Sequence, residues 1–525
     1  MTRHPHSHRL INRPLILMLA LLLVLPLLAA CMGDDDDDDP TATSDEGAAV
    51  TATAPEPTEE VEPTEAEPTE AEPTATEPEA TPTEIEPTEV EPTEAEPTAE
   101  EPEPTPTEGE PAVPGERPID QQLSWLLGIL NSSVPPAEEI EARMHPSFNA
   151  QLPPDQFAGQ LAQLAQAGPW TFNGYLGSPV ALDGTAVVES QAGLFQIHVG
   201  LEVAEPHRFQ TLLFLADVPS SVTLTSLPEV DPLVSALAPN VAVQIAEISG
   251  GVCAPLHTLN PDEPLAIASG FKHWVLLELA ERVAAGEFSW DDELPITDEL
   301  RSLPSGTLQV EPTGTSIALS TYAAKMMVLS DNTATDHLID VLGRESVEAR
   351  MAATGNSAMD RNVPLLLTRE LFYLKLAAGA DVREAYIAAD DTGQRAMLDE
   401  MTVDFSQLDP NMLGLPVAVD SIEWFASAAD LCEVQAALFE RAGSDTTLQS
   451  IMAAASGMQV DGATWPFVAF KGGDEAGVAA RSWLLQRADG RVFSINIILN
   501  NPDTNVDPST LEGIGEAIAG LLAGV

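Results

Sequence analysis

The sequence predicts an α+β and α/β multi-domain chain, in which a small helix-plus-antiparallel-sheet domain precedes a larger antiparallel sheet flanked by helices with an all-helical lobe. Three observations point there. The chain of 525 residues is too long for one ordinary domain. Its formal charge of -61 is uneven, with 30 of the 83 acidic residues and no Lys or Arg between positions 34 and 116. From about Asn240 onward, strand patterns occur at both ends of the sequence around a long helical middle, which suggests one sheet assembled from chain-distant pieces.

Residues 1–31 read as a leader. Arg3, Arg9 and Arg13 precede an uncharged apolar run over 14–30, shorter than the roughly 20 residues a spanning helix needs, and small residues close it at Ala29, Ala30 and Cys31. Leu28, Ala29, Ala30 and Cys31 resemble the lipobox of bacterial lipoproteins, which implies lipidation of Cys31, a membrane anchor and an extracytoplasmic location. Residues 32–118 follow as an acidic stalk. Six consecutive aspartates at 34–39 lead into a degenerate Glu-Pro-Thr-Glu-Ala repeat with almost no large apolar side chain, so the segment cannot build a core. Its prolines and self-repelling charges favour an extended, disordered spacer.

Residues 117–525 hold 53 acids against 19 bases, so the folded part is acidic too. Such a surface repels phosphate, which argues against nucleic acid or anionic headgroups as partners. The small domain, 119–239, begins where Ile119, Leu123, Leu126, Leu127 and Leu130 recur at helical spacing, with a second helix around Phe157, Leu161 and Leu164. After Gly168 the pattern turns to strands over 170–176, 185–191, 195–203 and 209–215. His198 and His207 stand outside any motif and read as ordinary strand or surface residues.

The large domain, 240–525, opens with a strand over 241–248 and a helix over 269–285, apolar at Phe271, Val275, Leu276, Leu279 and Val283. A helix over 316–329 follows. Strands return at 467–471, 481–486 and 492–499, and an amphipathic helix over 509–522 closes the chain. Ser269 and Lys272 open the first of these helices three residues apart, close enough for proton exchange. A serine hydroxyl needs a base, and a lysine serves only if burial and a neighbouring cation pull its pKa down from about 10.4. Ser330, Asp331 and Asn332 follow the helix that ends near 329, and Lys471, Gly472 and Gly473 lie on a C-terminal strand. These add a hydroxyl, an amide and a second cation. Taken singly, Ser269 is equally a helix N-cap, and residues 330–332 equally a turn. The chain has only four lysines, Lys272, Lys325, Lys375 and Lys471, and two stand in these motifs.

The three motifs together resemble those of the penicillin-recognising serine enzymes, the class A β-lactamases and related penicillin-binding proteins, whose signatures are Ser-x-x-Lys, Ser-Asp-Asn and Lys-Thr-Gly. The small preceding domain and the stretch 364–371 look more like the two-domain β-lactamase-like proteins of clavulanic-acid gene clusters. The resemblance implies a β-lactamase-like serine hydrolase domain over 240–525. Ser269 would be the acylated nucleophile, Lys272 its base and Ser330 the relay to the leaving nitrogen. Asn332 would hold a substrate amide, Lys471 would attract a carboxylate, and the Ser269 and Asp474 N–H groups would form the oxyanion hole. Gly472 and Gly473 would leave room for substrate along the strand edge.

Gly472 stands where the family has Thr or Ser, so a hydroxyl toward the substrate carboxylate is missing. Residues 343–375 also lack the Glu-x-x-x-Asn that aims a deacylating water in class A enzymes. Glu345, Glu348 and Glu370 read as helix-surface carboxylates. His257, His273 and His337 match no triad and read as structural, and the pairing of Cys253 with Cys432 stays open. No Cys-x-x-Cys or His-Glu-x-x-His holds zinc, so neither metal nor organic cofactor is expected. The reading is an anchored, monomeric acyl-serine hydrolase acting on a β-lactam, ester or peptidoglycan fragment. Its rivals are a non-turnover binding or sensory module and a D-Ala-D-Ala peptidase or esterase on the same residues.

Overall fold

A computed structural model of the chain describes residues 114–216, 222–407, 412 and 414–525. The leader with Cys31, and the stalk apart from its last five residues, lie outside the described residues.

The first helix, α1 (Pro118–Leu130), has proline at its first turn, where no N–H is needed, and Asp120 folding back onto the Arg117 N–H at 3.0 Å. Its periodic apolar residues, from Ile119 to Leu130, are all buried. Two short helices not anticipated from the sequence, α2 (Ala137–Arg143) and α3 (Pro146–Gln151), come before α4 (Pro154–Ala165). They are too short for apolar periodicity to register, although Pro146 and the acidic first turn of Glu138 and Glu139 mark their starts. The meander β1 (Thr171–Val180), β2 (Asp183–Ser190), β3 (Gly193–Leu201) and β4 (Phe209–Ala216) is antiparallel in chain order. Ala186, Val188, Ile197 and Val199 face the helices and are fully buried with Leu123 and Leu161.

Although it lies before the boundary expected at 239, α5 (Val230–Ser235) packs Val230 and Val234 into the core of the main sheet and so belongs to the large domain, which continues through β5 (Asn240–Ser249), β6 (Val252–Leu259), β7 (Leu265–Ala266) and α6 (Lys272–Ala284). The hairpin pair β8 (Glu293–Pro295) and β9 (Ser316–Ala318) leads to α7 (Leu319–Val328), α8 (Asn332–Leu342) and α9 (Arg344–Ala353). The helical lobe extends through α10 (Met359–Asn362), α11 (Thr368–Leu376), α12 (Ala380–Ala388) and α13 (Asp391–Glu400). After β10 (Phe425–Ala426), α14 (Ala428–Ala442) and α15 (Thr446–Met452), the chain returns to β11 (Phe467–Glu475), β12 (Val478–Gln486), β13 (Val492–Asn500) and α16 (Leu511–Leu522).

The main sheet runs β11-β12-β13-β5-β6, all antiparallel, so β5 near the start of the domain pairs with β13 near its end. Alternation sets its two faces. Val243, Ile245, Trp483, Phe493, Ile495 and Ile497 pack with α16 and α5, while Ala242, Ala246 and Ile498 face α6 and α14. Buried without a break from Lys272 to Ala280, α6 is the central helix of the domain, which is why a lysine at its start lies in a dry interior.

Two of the boundaries that differ from the sequence reading are helix starts. The helix expected over 269–285 is a 3₁₀ turn, Ala268–Phe271, followed by α6. The helix expected over 316–329 gives up its first three residues to β9, because Ile317 is buried in the pairing with Leu294. Cys253 on β6 and Cys432 on α14 form a disulfide across 179 residues. Replacing both by serine is expected to cost about 2–5 kcal/mol, read from denaturant unfolding beside the oxidised parent. Equal midpoints would contradict this.

Candidate active site

The turn that carries Ser269 is pinned from three sides. The Ile267 N–H donates to the Trp424 carbonyl at 2.9 Å, and Asn500 bonds both the N–H and the carbonyl of Ala266 at 2.8 and 2.9 Å. The ring of Trp424 stacks on Phe271 at 3.9 Å between centroids. From the third side β11 closes in at Gly473, where a β-carbon would stand 2.2 Å from the Ile267 carbonyl oxygen and 2.9 Å from the Ser269 nitrogen. Only glycine fits, and the sheet edge thereby lies against the Ser269 backbone. In 3₁₀ geometry residues i and i+3 eclipse, so Ser269 and Lys272 still share a side. Ser269 is half-buried, and no hydrogen bond joins it to Lys272.

Lys272, Ser330, Asn332 and Lys471 converge. Lys272 Nζ lies 2.6 Å from the Ser330 carbonyl oxygen, 3.1 Å from Ser330 Oγ and 2.7 Å from Asn332 Oδ1. Lys471 Nζ lies 3.0 Å from Ser330 Oγ and 2.6 Å from the Gly472 carbonyl oxygen. Ser330 itself has φ of +55°, a left-handed conformation that a serine holds only when its surroundings impose it. Beside it Asp331 caps α8, taking the Ala334 N–H at 2.8 Å. The Asn332 amide is engaged inside the protein at both ends, since its Nδ2 donates to the Leu303 carbonyl at 2.8 Å.

Burial drives Lys272 well below its ordinary pKa, and the charge of Lys471 adds to the effect. Lys471 falls to about 7, again through burial first, with Asp474 opposing and Arg481 assisting. A neutral Lys272 has two N–H donors and one lone pair, and the three contacts match that inventory: donation to the Ser330 carbonyl and to Asn332, acceptance from the Ser330 hydroxyl. Lys471, as the remaining cation, then donates to Ser330 Oγ. The arrangement can take up, hold and pass one proton.

At the strand edge Gly472 and Asp474 point to the other face. A β-carbon on Gly472 would meet the Phe470 ring at 3.0 Å and Arg481 Nη1 at 3.5 Å, and the Asp474 carboxylate pairs with Arg481 at 2.9 Å. Arg481 is a residue the sequence reading missed. The β11–β12 register sets it opposite Gly472, a relation visible only once the strands are paired. A second omission is Lys375, fully buried between Glu423 and Glu475 at 2.6 Å each; Glu475 lies two residues along β11 from Gly473.

Two of the three carboxylates read as surface groups are not. Glu370 is buried, pairs with Arg344 and caps the Leu367 N–H at 2.7 Å; Glu348 is buried between the Leu365 N–H and Arg395. Both anchor the chain around 365–370, and the sequence hid this because their arginine partners are remote. Glu345 is exposed. His273 and His337 donate to backbone carbonyls within their own turns, and His257 pairs with Asp231. Among the described residues no three His, Cys, Asp or Glu side chains are grouped to hold a metal, and no helix is long and apolar enough to cross a membrane.

Residues 252–401 match the family model of the β-lactamase enzyme family, and residues 114–204 match that of the ORF 12 gene product N-terminal region. No curated protein matches. Among solved structures, a β-lactamase from Sphaerobacter thermophilus DSM 20745 is similar at 20% identity, over 57% of this chain and 98% of that one, with a TM-score of 0.40. PBP-A is similar at 17% identity over 59% and 100%, with a TM-score of 0.39. A β-lactamase from Chitinophaga pinensis DSM 2588 is similar at 17% identity over 56% and 97%, with a TM-score of 0.38.

Proposed function

Since the chain carries a domain of the β-lactamase-like serine hydrolase family, we propose that it forms an acyl-serine at Ser269 with a β-lactam or a related amide or ester. The observation that carries this reading is the meeting of two buried lysines, Lys272 and Lys471, on Ser330 Oγ, at 3.1 and 3.0 Å, beside the Ser269 turn. Ser269 Oγ attacks the carbonyl carbon, and Lys272 takes the proton released. As the C–N bond breaks, Ser330 gives its proton to the leaving nitrogen and recovers one from Lys272. The N–H groups of Ser269 and Asp474 face the developing oxyanion, and Lys471 supplies the field that draws a substrate carboxylate. Asn332, its amide engaged at both ends, holds Lys272 in place rather than a substrate amide.

Release of the acyl group is the slow half. Glu348 and Glu370 are tied to arginines and backbone N–H groups, so neither is free to activate water. That favours a long-lived adduct and the reading of the chain as a penicillin- or peptidoglycan-binding module over rapid turnover. We place the domain outside the cytoplasmic membrane, tethered through Cys31 and the acidic stalk.

Intact-protein mass after mixing with benzylpenicillin, followed from minutes to hours, tests both halves. The expected result is one added penicilloyl mass on Ser269 that decays slowly and is absent from Ser269→Ala. No adduct, or an adduct that survives Ser269→Ala, would overturn the reading.

A further inference from the structure

The loop 303–311 lies between the small domain and the turn at 330–332, and it is bonded to both. On the side of the site, Ser305 Oγ donates to the Ser330 carbonyl at 2.8 Å, and the Ser305 carbonyl accepts from the Asn332 N–H at 3.0 Å. The buried Asp331 carboxylate accepts from the Thr307 and Leu308 N–H groups at 2.6 and 2.9 Å. Gly306 is pressed so close that a β-carbon there would stand 2.2 Å from Asp331 Cγ.

On the side of the small domain, Glu311, only 2% exposed, accepts from Gln210 Nε2 at 2.7 Å and from the Val203 N–H at 3.3 Å. Lys325, 1% exposed, donates to Thr307 Oγ1 at 3.0 Å and to the Leu201 carbonyl at 3.3 Å, while its own carbonyl accepts from the Asp331 N–H at 3.1 Å. Within the small domain the buried Asp183 has no hydrogen-bond partner on either oxygen and lies 3.8 Å from His198 Nε2. Apolar contact alone would hold two domains together yet let them slide. Buried charged groups with fixed partners do not, because each lost bond leaves a desolvated group unpaired. Ser330 needs such bracing, since its left-handed backbone persists only where its surroundings over-determine it.

We propose that the small domain is a positioning element of the catalytic site, fixing the turn at 330–332 through Lys325 and Glu311 by way of the loop 303–311. Lys325 and Glu311 are positioning residues, neither being bonded to Ser269, Lys272 or Lys471. The effect on chemistry rests on the acyl-serine reading above; the mechanical coupling does not.

The experiment uses the full chain as Lys325→Met, Lys325→Arg and Gln210→Leu. Two quantities are measured: acylation by benzylpenicillin, resolved into saturating rate and half-saturating concentration, and amide hydrogen exchange of peptides over 303–311 and 328–334. Lys325→Met is expected to lower the saturating rate tenfold or more with the half-saturating concentration changed less than twofold, and Gln210→Leu to lower it severalfold. Lys325→Arg should restore at least half of the loss. Both peptides should exchange faster in Lys325→Met and Gln210→Leu, while α16 keeps its protection. Wild-type rates and exchange in these two variants, or no restoration by Lys325→Arg, overturn the proposal. If Lys325→Met does not fold, Gln210→Leu decides alone. If the parent forms no adduct, the acyl-serine reading fails, and exchange decides the coupling: faster exchange over 328–334 in Gln210→Leu upholds it, and unchanged exchange overturns it.

Discussion

Lys272→Met is expected to slow acylation of Ser269 by benzylpenicillin about 10²–10⁴-fold, the usual worth of a positioned base. The fold should survive, because a thioether fills the space and removes a buried amine, while the Ser330 carbonyl and Asn332 each lose a donor. Net loss should stay within about 1–3 kcal/mol. The pH profile identifies the base independently. Lys272 must be neutral, so the parent's rate falls on the acid side as Lys272 gains a proton at its lowered pKa. Lys471 must be charged, so the rate falls again as pH rises through about 7. The result is a bell, and Lys272→Met should flatten its acid limb. Linkage runs the same way for stability: both amines titrate lower in the native protein than in the unfolded chain, so the native state gains stability as pH rises toward their ordinary range. An unchanged rate, or an acid limb intact in the variant, removes Lys272 from the role of base.

The second and third motifs were legible as residue types at chain-distant positions, and the strands at 241–248 and 492–499 were legible as members of one sheet. What could not be read was how the pieces oppose each other. Ser269 and Lys272 at i and i+3 suggested one helix, but the contact of Gly473 with the Ile267 carbonyl belongs to tertiary packing, and the 3₁₀ turn goes with it. Arg481 lies opposite Gly472 only because of strand register. Glu348 and Glu370 looked solvated because local spacing gives no sign of Arg395 and Arg344. Lys325 and Lys375 fell outside every motif. A lysine in an acidic chain with only four of them is a weak signal of burial, and nothing in the neighbouring residues names its partners.

Lys375 gives the largest expected effect on stability. Its ammonium, fully buried at the end of α11, is held by Glu423 and Glu475 at 2.6 Å each; burial opposes the charge, and the two carboxylates more than offset it, so its pKa is raised. Burial first, and then Glu423, lifts Glu475 far above the usual carboxylate range. The cluster therefore holds an ammonium beside a Glu475 that favours its protonated form. Lys375→Met leaves two facing acids with no cation, and the expected cost is about 3–5 kcal/mol near neutral pH, measured by denaturant unfolding. The sign with pH follows. Carboxyls whose native pKa is raised are easiest to bury below their ordinary range and lose stability as pH rises through the native value, so the deficit should shrink toward pH 5 and grow toward pH 8. Glu475→Gln alone keeps an uncharged group in place and should cost little, and added to Lys375→Met it should recover part of the loss. Glu475 lies two residues beyond Gly473, so a loosened cluster also frees the β11 edge from the Ser269 turn, and acylation should slow in Lys375→Met more than in Glu475→Gln. A Lys375→Met protein within about 1 kcal/mol of the parent at every pH would mean that the two acids find water or another partner, and that the cluster does not clamp the strand.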